Sequence, residues 1–126
     1  RFIDLGFYIS LAGPVTFKNA RVPKDVAEKI GLEHLLIETD CPYLTPHPYR
    51  GSLNEPANVV YIAQEIAKLK NMEIESVASQ TTFNAKKVFG IKCRPPTERG
   101  INDYDCLCNG YGYNCYIRRN TRNKRV

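Results

Sequence analysis

Two short apolar segments separated by a helix-like segment constrain the fold more than any other feature of this sequence. Residues 7–11 (FYISL) and residues 35–38 (LLIE) combine apolar and β-forming side chains. Between them, residues 23–30 carry apolar side chains at helical spacing and end at Gly31. Strands joined by a helical crossover are usually parallel, and strands this apolar suit a sheet covered on both faces. The pattern predicts a β-α-β unit of an α/β fold.

A polar loop and further amphipathic segments follow the second predicted strand. Residues 39–55 contain three prolines and one glycine, and loops of this length are often functional. Residues 56–70 place apolar side chains on one stripe, as a helix covering a sheet does. Residues 74–81 repeat that spacing, and Thr82 is a candidate N-cap for a separate last helix that ends at Gly90.

The distribution of charge divides the chain after Gly90. Residues 1–90 contain ten basic and ten acidic side chains, whereas residues 91–126 contain eight basic and three acidic ones. The whole net charge of +5 therefore lies in the second segment, which we call the tail. The tail loses both helical and strand periodicity. We expect residues 1–90 to form the folded part and residues 91–126 to be an irregular or disordered basic appendage.

The tail also contains most of the cysteines, and it leaves several interpretations open. Four thiolates could hold zinc, although their spacing is irregular and lacks paired Cys-x₂-Cys units. Interleaved tyrosines and arginines could bind single-stranded nucleic acid. A solvated tail, or a sequence unrelated to the preceding domain, is the interpretation we favour. The four cysteines are Cys93, Cys106, Cys108 and Cys115.

The composition and the first residue suggest a soluble protein with sequence missing upstream. A chain of 126 residues, 43% hydrophobic and 25% charged, is typical of at most one globular domain. No apolar run reaches the roughly 18 residues that a membrane span needs. An odd number of cysteines without a recognisable signal peptide favours reduced thiols and a cytoplasmic location. The chain starts at Arg1, directly before an apolar segment, so we expect upstream residues to be missing.

The end of the second strand is the segment most suited to chemistry. In the run LLIETDCP, Asp40 follows a buried strand, and in β/α barrels the carboxyl ends of strands carry catalytic groups. A carboxylate oxygen there is a suitable ligand for Mg²⁺, Mn²⁺ or Zn²⁺. The alternative is an aspartate that only caps the following turn. The local pattern leaves both roles open.

Three ordered segments of the chain resemble one known family. Residues 37–56 (IETDCPYLTPHPYRGSLNEP) are similar to the signature of TatD-type hydrolases, and the similarity extends to residues 6–20 and 81–90. The resemblance implies a (β/α)₈ TIM-type barrel, of which this chain would be the C-terminal part, with the last two strands and their helices. Residues 6–10 would belong to the seventh strand and residues 35–40 to the eighth.

The resemblance also implies an activity and a cofactor. Members of this family are metal-dependent hydrolases that use one or two divalent cations, and several degrade DNA from its 3′ end. Asp40 matches the last metal ligand, which can also orient or deprotonate the attacking water, whereas the segments with the other ligands are not in this sequence. His34 cannot replace them, because it lies about 20 Å from Asp40 along an extended strand. A catalytic site usually needs three protein ligands, so we expect the chain alone to be inactive without the missing N-terminal part of the barrel.

Four further residues are candidates for the same site. Arg50 and Lys18 are suited to binding a phosphate of the substrate, and His47 could contact the substrate from the loop. Glu38 precedes Asp40 by two residues and could support it. A solvated surface role is the alternative for Arg50, Lys18 and His47, and a structural salt bridge is the alternative for Glu38. The sequence thus predicts a metal-dependent hydrolase with nucleic acid as substrate; the alternatives are a non-catalytic nucleic-acid-binding module that uses the tail, or an aminoacyl-tRNA ester hydrolase.

Overall fold

A computed structural model describes residues 2–91 and two short segments of the tail, residues 106–107 and 116–117. The described part is an α/β arrangement with a small parallel sheet. Strand β1 spans Ile9–Leu11 and strand β2 spans Leu35–Ile37. They pair in parallel, with Ile9 opposite Leu35 and Leu11 opposite Ile37. The predicted β-α-β unit is therefore present.

Three α-helices complete this part of the fold. Helix α1 spans Arg21–Lys29 and forms the crossover from β1 to β2, helix α2 spans Val59–Lys70, and helix α3 spans Ile74–Phe89. Short 3-10 turns precede several of these elements, including Pro56–Asn58, which leads directly into α2. Proline suits this position because the backbone amides of the first helical turn have no hydrogen-bond partner within the helix, so the absence of an amide proton costs nothing there.

The core lies between the strand pair and the helices, as the helical stripes predicted. It contains apolar side chains from β1, β2 and all three α-helices, together with one from the turn after β1. Burying a valine, leucine or isoleucine side chain contributes about 1.5–3 kcal/mol to folding, and an alanine contributes less. The buried apolar residues are Leu11, Val15, Ala27, Leu35, Ile62, Ala63, Ile66, Ala67 and Val77.

The predicted break at Thr82 is wrong, because α3 runs through this position without interruption. The hydroxyl of the neighbouring Thr81 donates to the Val77 carbonyl at 2.8 Å, so it is satisfied inside the helix. One turn later, the buried Asn84 donates to the carbonyls of Leu32 and Leu35 at 2.9 and 2.7 Å. These tertiary bonds hold the last part of α3 against the start of β2.

The first strand is shorter than predicted. It starts at Ile9 instead of Phe7, because its partner begins only at Leu35, after a 3-10 turn at Leu32–His34. Phe7 is consequently exposed. The tail residues that the structure describes form a two-residue antiparallel pair, Cys106–Leu107 with Tyr116–Ile117. The other residues after position 91, and all the tail side chains on which the predicted zinc and nucleic-acid-binding features depend, lie outside what the structure describes.

We expect the substitution Gly31→Pro to stabilise the fold. Gly31 has φ −58° and ψ 139°, which proline adopts readily, and its amide makes no hydrogen bond within residues 2–91. Restricting the unfolded chain at such a site raises the free energy of unfolding by about 0.4–1 kcal/mol, measurable by urea titration with circular dichroism. Gly51→Pro is the matched control and should destabilise, because Gly51 has φ +96°. Destabilisation by Gly31→Pro would contradict the described backbone.

Candidate metal and phosphate site at the strand ends

Both strands deliver their carboxyl ends to one edge of the sheet. Leu11 and Ile37 are the last paired residues, and the amide of Glu38 extends the ladder by donating to the Leu11 carbonyl at 3.1 Å. Asp40 follows two residues later. The position predicted for Asp40, just beyond the buried part of the second strand, is therefore the one that the chain adopts.

The loop of residues 39–55, which we call the site loop, rests on the segment that follows β1. Gly13 lies so close to it that a Cβ atom there would overlap the carbonyl oxygen of Leu44. The buried hydroxyl of Thr16 donates to the Gly13 carbonyl at 2.7 Å and accepts from the His47 amide at 2.8 Å. Both strand-end segments therefore hold each other in place above the sheet.

A pair of buried asparagines fixes the other end of the site loop. The amide nitrogen of Asn54 donates to the Tyr43 carbonyl at 2.7 Å, and its side-chain oxygen accepts from the Glu55 amide and from Asn58, at 2.9 and 3.0 Å. Its backbone amide donates to the Pro42 carbonyl. A buried amide with all these bonds is costly to replace, so the start of α2 and the residues after Asp40 are held as one unit.

The tip of the site loop is closed by its own hydrogen bonds and by a tyrosine pair. The Thr45 hydroxyl donates to the Ser52 carbonyl, and the Ser52 hydroxyl donates to the Tyr49 carbonyl. The Tyr49 and Tyr61 rings lie edge to face, with centroids 5.3 Å apart and hydroxyl oxygens 3.3 Å apart. This hydrogen bond raises the pKa of Tyr61. The tip is thereby attached to α2.

The carboxylates of Asp40 and Glu38 face solvent and are available to a ligand. Within residues 2–91, neither makes a side-chain hydrogen bond or an ion pair, and no guanidinium neutralises Asp40. Their hard oxygens suit Mg²⁺, Mn²⁺ or, as partial ligands, Zn²⁺. Among the described residues, however, no three His, Cys, Asp or Glu side chains converge. The donor set therefore fits part of a divalent-metal site, and a complete site would need ligands from outside these residues.

The residues predicted to bind the substrate lie either in the site loop, as Arg50 and His47 do, or in the segment after β1, as Lys18 does. The guanidinium carbon of Arg50 lies 4.1 Å from the centroid of the Phe17 ring, and Lys18 is the next residue in the chain. The His47 side chain is exposed, and its backbone is held by Thr16. The roles predicted for Arg50, Lys18 and His47 remain predictions.

His34 lies at the opposite end of the sheet, as expected. It stands just before β2, its ring centroid is 6.2 Å from that of Tyr8, and Tyr8 stands just before β1. Its Nε2 atom lies 3.7 Å from the carboxylate of Glu33. His34 cannot share a metal ion with Asp40.

Comparison with known proteins decides the family. The model of the family described as TatD related DNase matches residues 1–90. The chain belongs to this family. A protein of Bacillus subtilis named "Uncharacterized metal-dependent hydrolase YabD" is 59% identical over 89 residues, which are 71% of this chain and 35% of that protein. The Escherichia coli K12 protein named "Uncharacterized metal-dependent hydrolase YcfH" is 47% identical over 91 residues, covering 72% of this chain and 34% of that protein.

Solved structures agree with this assignment. The crystal structure of YJJV, a TatD homolog from Escherichia coli K12, superposes with a TM-score of 0.66 at 26% identity, over 72% of this chain and 35% of that one. A TatD-family hydrolase from Entamoeba histolytica superposes with a TM-score of 0.59 at 21% identity, over 68% and 36%, which supports the fold alone. This TatD-family chain spans about a third of the length of the relatives it matches. Within the described residues, no helix is long and apolar enough to cross a membrane.

Sequence reasoning missed the residues that hold the site together. These residues, which the sequence pattern does not single out, are Gly13, Thr16, Phe17, Asn54 and Asn58. Their partners are distant in sequence, as in the 31-residue separation of Thr16 and His47. The available signal was weak: two asparagines flank Pro56 in a segment already similar to the TatD signature.

Proposed function

We propose that this chain contributes Asp40 to the catalytic site of a metal-dependent hydrolase that cleaves phosphodiester bonds in DNA. The observation that carries the proposal is the exposed Asp40 carboxylate, unpaired among residues 2–91, at the common carboxyl edge of two parallel strands. The family description, TatD related DNase, supports DNA as the substrate. The names of the relatives support the metal requirement.

Each proposed site residue has a defined task. Asp40 supplies an oxygen ligand to one or two divalent cations and can accept the proton of the attacking water, with Glu38 beside it as support. When bound, such a cation lowers the pKa of water and offsets the charge that develops on phosphate oxygens. Arg50 and Lys18 bind substrate phosphates by charge and hydrogen bonds, and His47 contacts the substrate from the loop.

We further propose that residues 1–90 are the C-terminal part of a TIM-type barrel. Among the described residues, β1 and β2 pair only with each other, so each leaves an outer edge with unpaired backbone groups. Phe2, Leu5 and Phe7 are exposed near the start of β1, as expected where another part of a barrel packs. The remaining strands would cover these edges and supply the missing ligands. The isolated chain is therefore expected to be inactive, and its tail, residues 91–126, is not required for catalysis.

A chimera tests this function. In the Bacillus subtilis relative, the 89-residue segment that matches this chain would be replaced by the corresponding residues of this chain, which are 59% identical. We expect the chimera to hydrolyse single-stranded DNA when Mg²⁺, Mn²⁺ or Zn²⁺ is added, and we expect a chelator to stop this hydrolysis. The 126-residue chain alone should not hydrolyse DNA under either condition. The unaltered relative serves as the positive control.

The same assay separates the alternative substrates. An aminoacyl ester on RNA is offered in parallel with the DNA, because the same metal chemistry serves carboxylic esters. Hydrolysis of the ester alone would contradict the DNA substrate and leave the metal-dependent hydrolase in place. A folded chimera that hydrolyses neither substrate, although the unaltered relative is active, would overturn the proposed function.

The cytoplasmic location stays a prediction.

A further inference from the structure

A groove beside the turn that follows Asp40 is lined by a cationic side chain and by an exposed aromatic ring. Phe17, Tyr43 and Arg50 are among the residues that line it, and its volume is about 290 Å³. We propose that this groove binds the nucleotide unit next to the scissile phosphodiester, and that Phe17 positions Arg50 for the phosphate of that unit. The inference rests on the proposed function, since it names where the DNA lies in the same site.

The groove begins at the turn that follows Asp40. The Tyr43 amide donates to the Asp40 carbonyl at 2.8 Å, so the two residues are joined by one turn of backbone. Pro42, between them in the chain, also lines the groove. The groove therefore adjoins the turn after Asp40, and the proposal places over it the nucleotide next to a phosphodiester held at Asp40.

Arg50 is held in place by contacts that leave its hydrogen-bond donors free. Its guanidinium stacks on the Phe17 ring at 4.1 Å, and a stacked guanidinium keeps its N–H groups at its edge. Its backbone lies in the turn closed by Thr45, Tyr49 and Ser52. Within residues 2–91, no carboxylate pairs with Arg50. An arginine fixed without a counterion is suited to bidentate binding of a phosphate.

Tyr43 contributes an exposed aromatic surface to the groove, in contrast to the charge that Arg50 contributes. Its side chain is 74% exposed, while its backbone is fixed by Asp40 and by the side chain of the buried Asn54. An exposed ring on a fixed backbone is a platform on which a base can stack whatever its identity. Small-molecule sites usually measure about 300–1,000 Å³, so this groove is of a size for one nucleotide and not for a longer segment.

Binding without hydrolysis tests the proposal. The 126-residue chain is titrated, in the presence of a chelator, with thymidine 5′-monophosphate, inorganic phosphate and thymidine, and the side-chain N–H resonance of Arg50 is followed by NMR. We expect the monophosphate to bind more tightly than either of its parts. Arg50→Ala should lower the affinity for the monophosphate and for inorganic phosphate by about tenfold or more, as expected for the loss of a hydrogen bond to a charged group.

Variants at Phe17 distinguish a role in positioning Arg50 from a role in the stability of the fold alone. Phe17→Leu should weaken both phosphate probes by about 2- to 5-fold and remove the ring-current shift of the Arg50 resonance, because the stacking contact is lost. Phe17→Tyr keeps an aromatic face and should restore both affinity and shift. Phe89→Leu, at an exposed ring at the end of α3, is the matched control and should change neither.

The variant at Tyr43 tests the base-stacking wall. Tyr43→Ala should weaken the monophosphate by roughly 5-fold or more, because stacking on an aromatic ring contributes about 1–3 kcal/mol per base. Inorganic phosphate has no base to stack, so its affinity should not change. Lys68→Ala, at an exposed lysine of α2 that lines a different groove, should affect neither probe.

Each contrary result bears on a different part of the account. Equal affinity for thymidine monophosphate and inorganic phosphate, or full affinity in Phe17→Leu, would overturn the inference. If the NMR spectrum shows that the isolated chain is unfolded, the same titrations are carried out on the chimera and on the same variants of it. A chimera that binds the monophosphate as expected but hydrolyses no DNA contradicts the proposed function and leaves the groove assignment standing. Hydrolysis without preference for the monophosphate contradicts the groove assignment alone.

Discussion

Replacing Asp40 with asparagine in the chimera is expected to lower kcat/KM for DNA hydrolysis by roughly 10²- to 10⁴-fold, since a catalytic cation supplies several kcal/mol of transition-state stabilisation. Asparagine keeps the shape of the side chain but removes the charge that attracts the cation. Because Asp40 is exposed and makes no side-chain hydrogen bond or ion pair with residues 2–91, the change should leave the thermal stability unaltered. Initial rates over a range of Mn²⁺ concentrations measure the effect.

Glu33→Gln is the matched control for this substitution. Glu33 is also exposed and acidic, but it lies at the amino ends of the strands, beside His34. Its neutralisation should leave kcat/KM within about twofold, as is usual for surface substitutions away from a site. Equal losses in the two variants would mean that overall charge, and not coordination by Asp40, explains the result.

The substitution Gly13→Ala is expected to lower the activity of the chimera by about 100-fold, because a displacement of about 1 Å at a catalytic site can cost this much. A methyl group at Gly13 would overlap the carbonyl of Leu44 and would have to push the site loop away from the sheet. Backbone cannot yield as a flexible side chain does. The same strain should lower the free energy of unfolding by about 1–3 kcal/mol. Steady-state kinetics and urea unfolding check both expectations.

Gly31→Ala is the control that separates steric overlap from a general effect of adding a methyl group. At Gly31 the nearest atoms to the new methyl group belong to the carboxylate of Glu33, which is exposed and can turn away. We expect normal activity and unchanged or slightly higher stability. Normal activity in Gly13→Ala would show that the site loop does not depend on this close approach.

The strands and helices could be predicted because their signals are local. The apolar run before Glu38 and the helical stripes before Gly31 and Lys70 depend only on residues near in sequence. Their ends were less certain, since they depend on partners elsewhere: β1 begins where β2 can pair with it. The break expected at Thr82 failed for the same reason, because Asn84 stabilises the helix through bonds to residues 52 and 49 positions away.

The position of Asp40 could be predicted, whereas its surroundings could not. A strand followed by an acidic residue and a proline-rich loop suggests a site at a strand end, and the resemblance to the TatD family selects the aspartate as a metal ligand. No local sequence pattern indicates that Arg50 would stack on Phe17, or that Thr16 and Asn54 would form the hydrogen bonds that fix the site loop. These contacts arise only when the strand-end segments meet above the sheet.

Manganese binding to the chimera, followed by electron paramagnetic resonance, is the most direct test of Asp40 as a metal ligand. The account predicts saturable binding that is weakened at least about tenfold by Asp40→Asn, since even residues that only support a ligand change metal affinity by 10- to 100-fold. Binding should be unchanged in Glu33→Gln. Undiminished Mn²⁺ affinity in a folded Asp40→Asn chimera would contradict it.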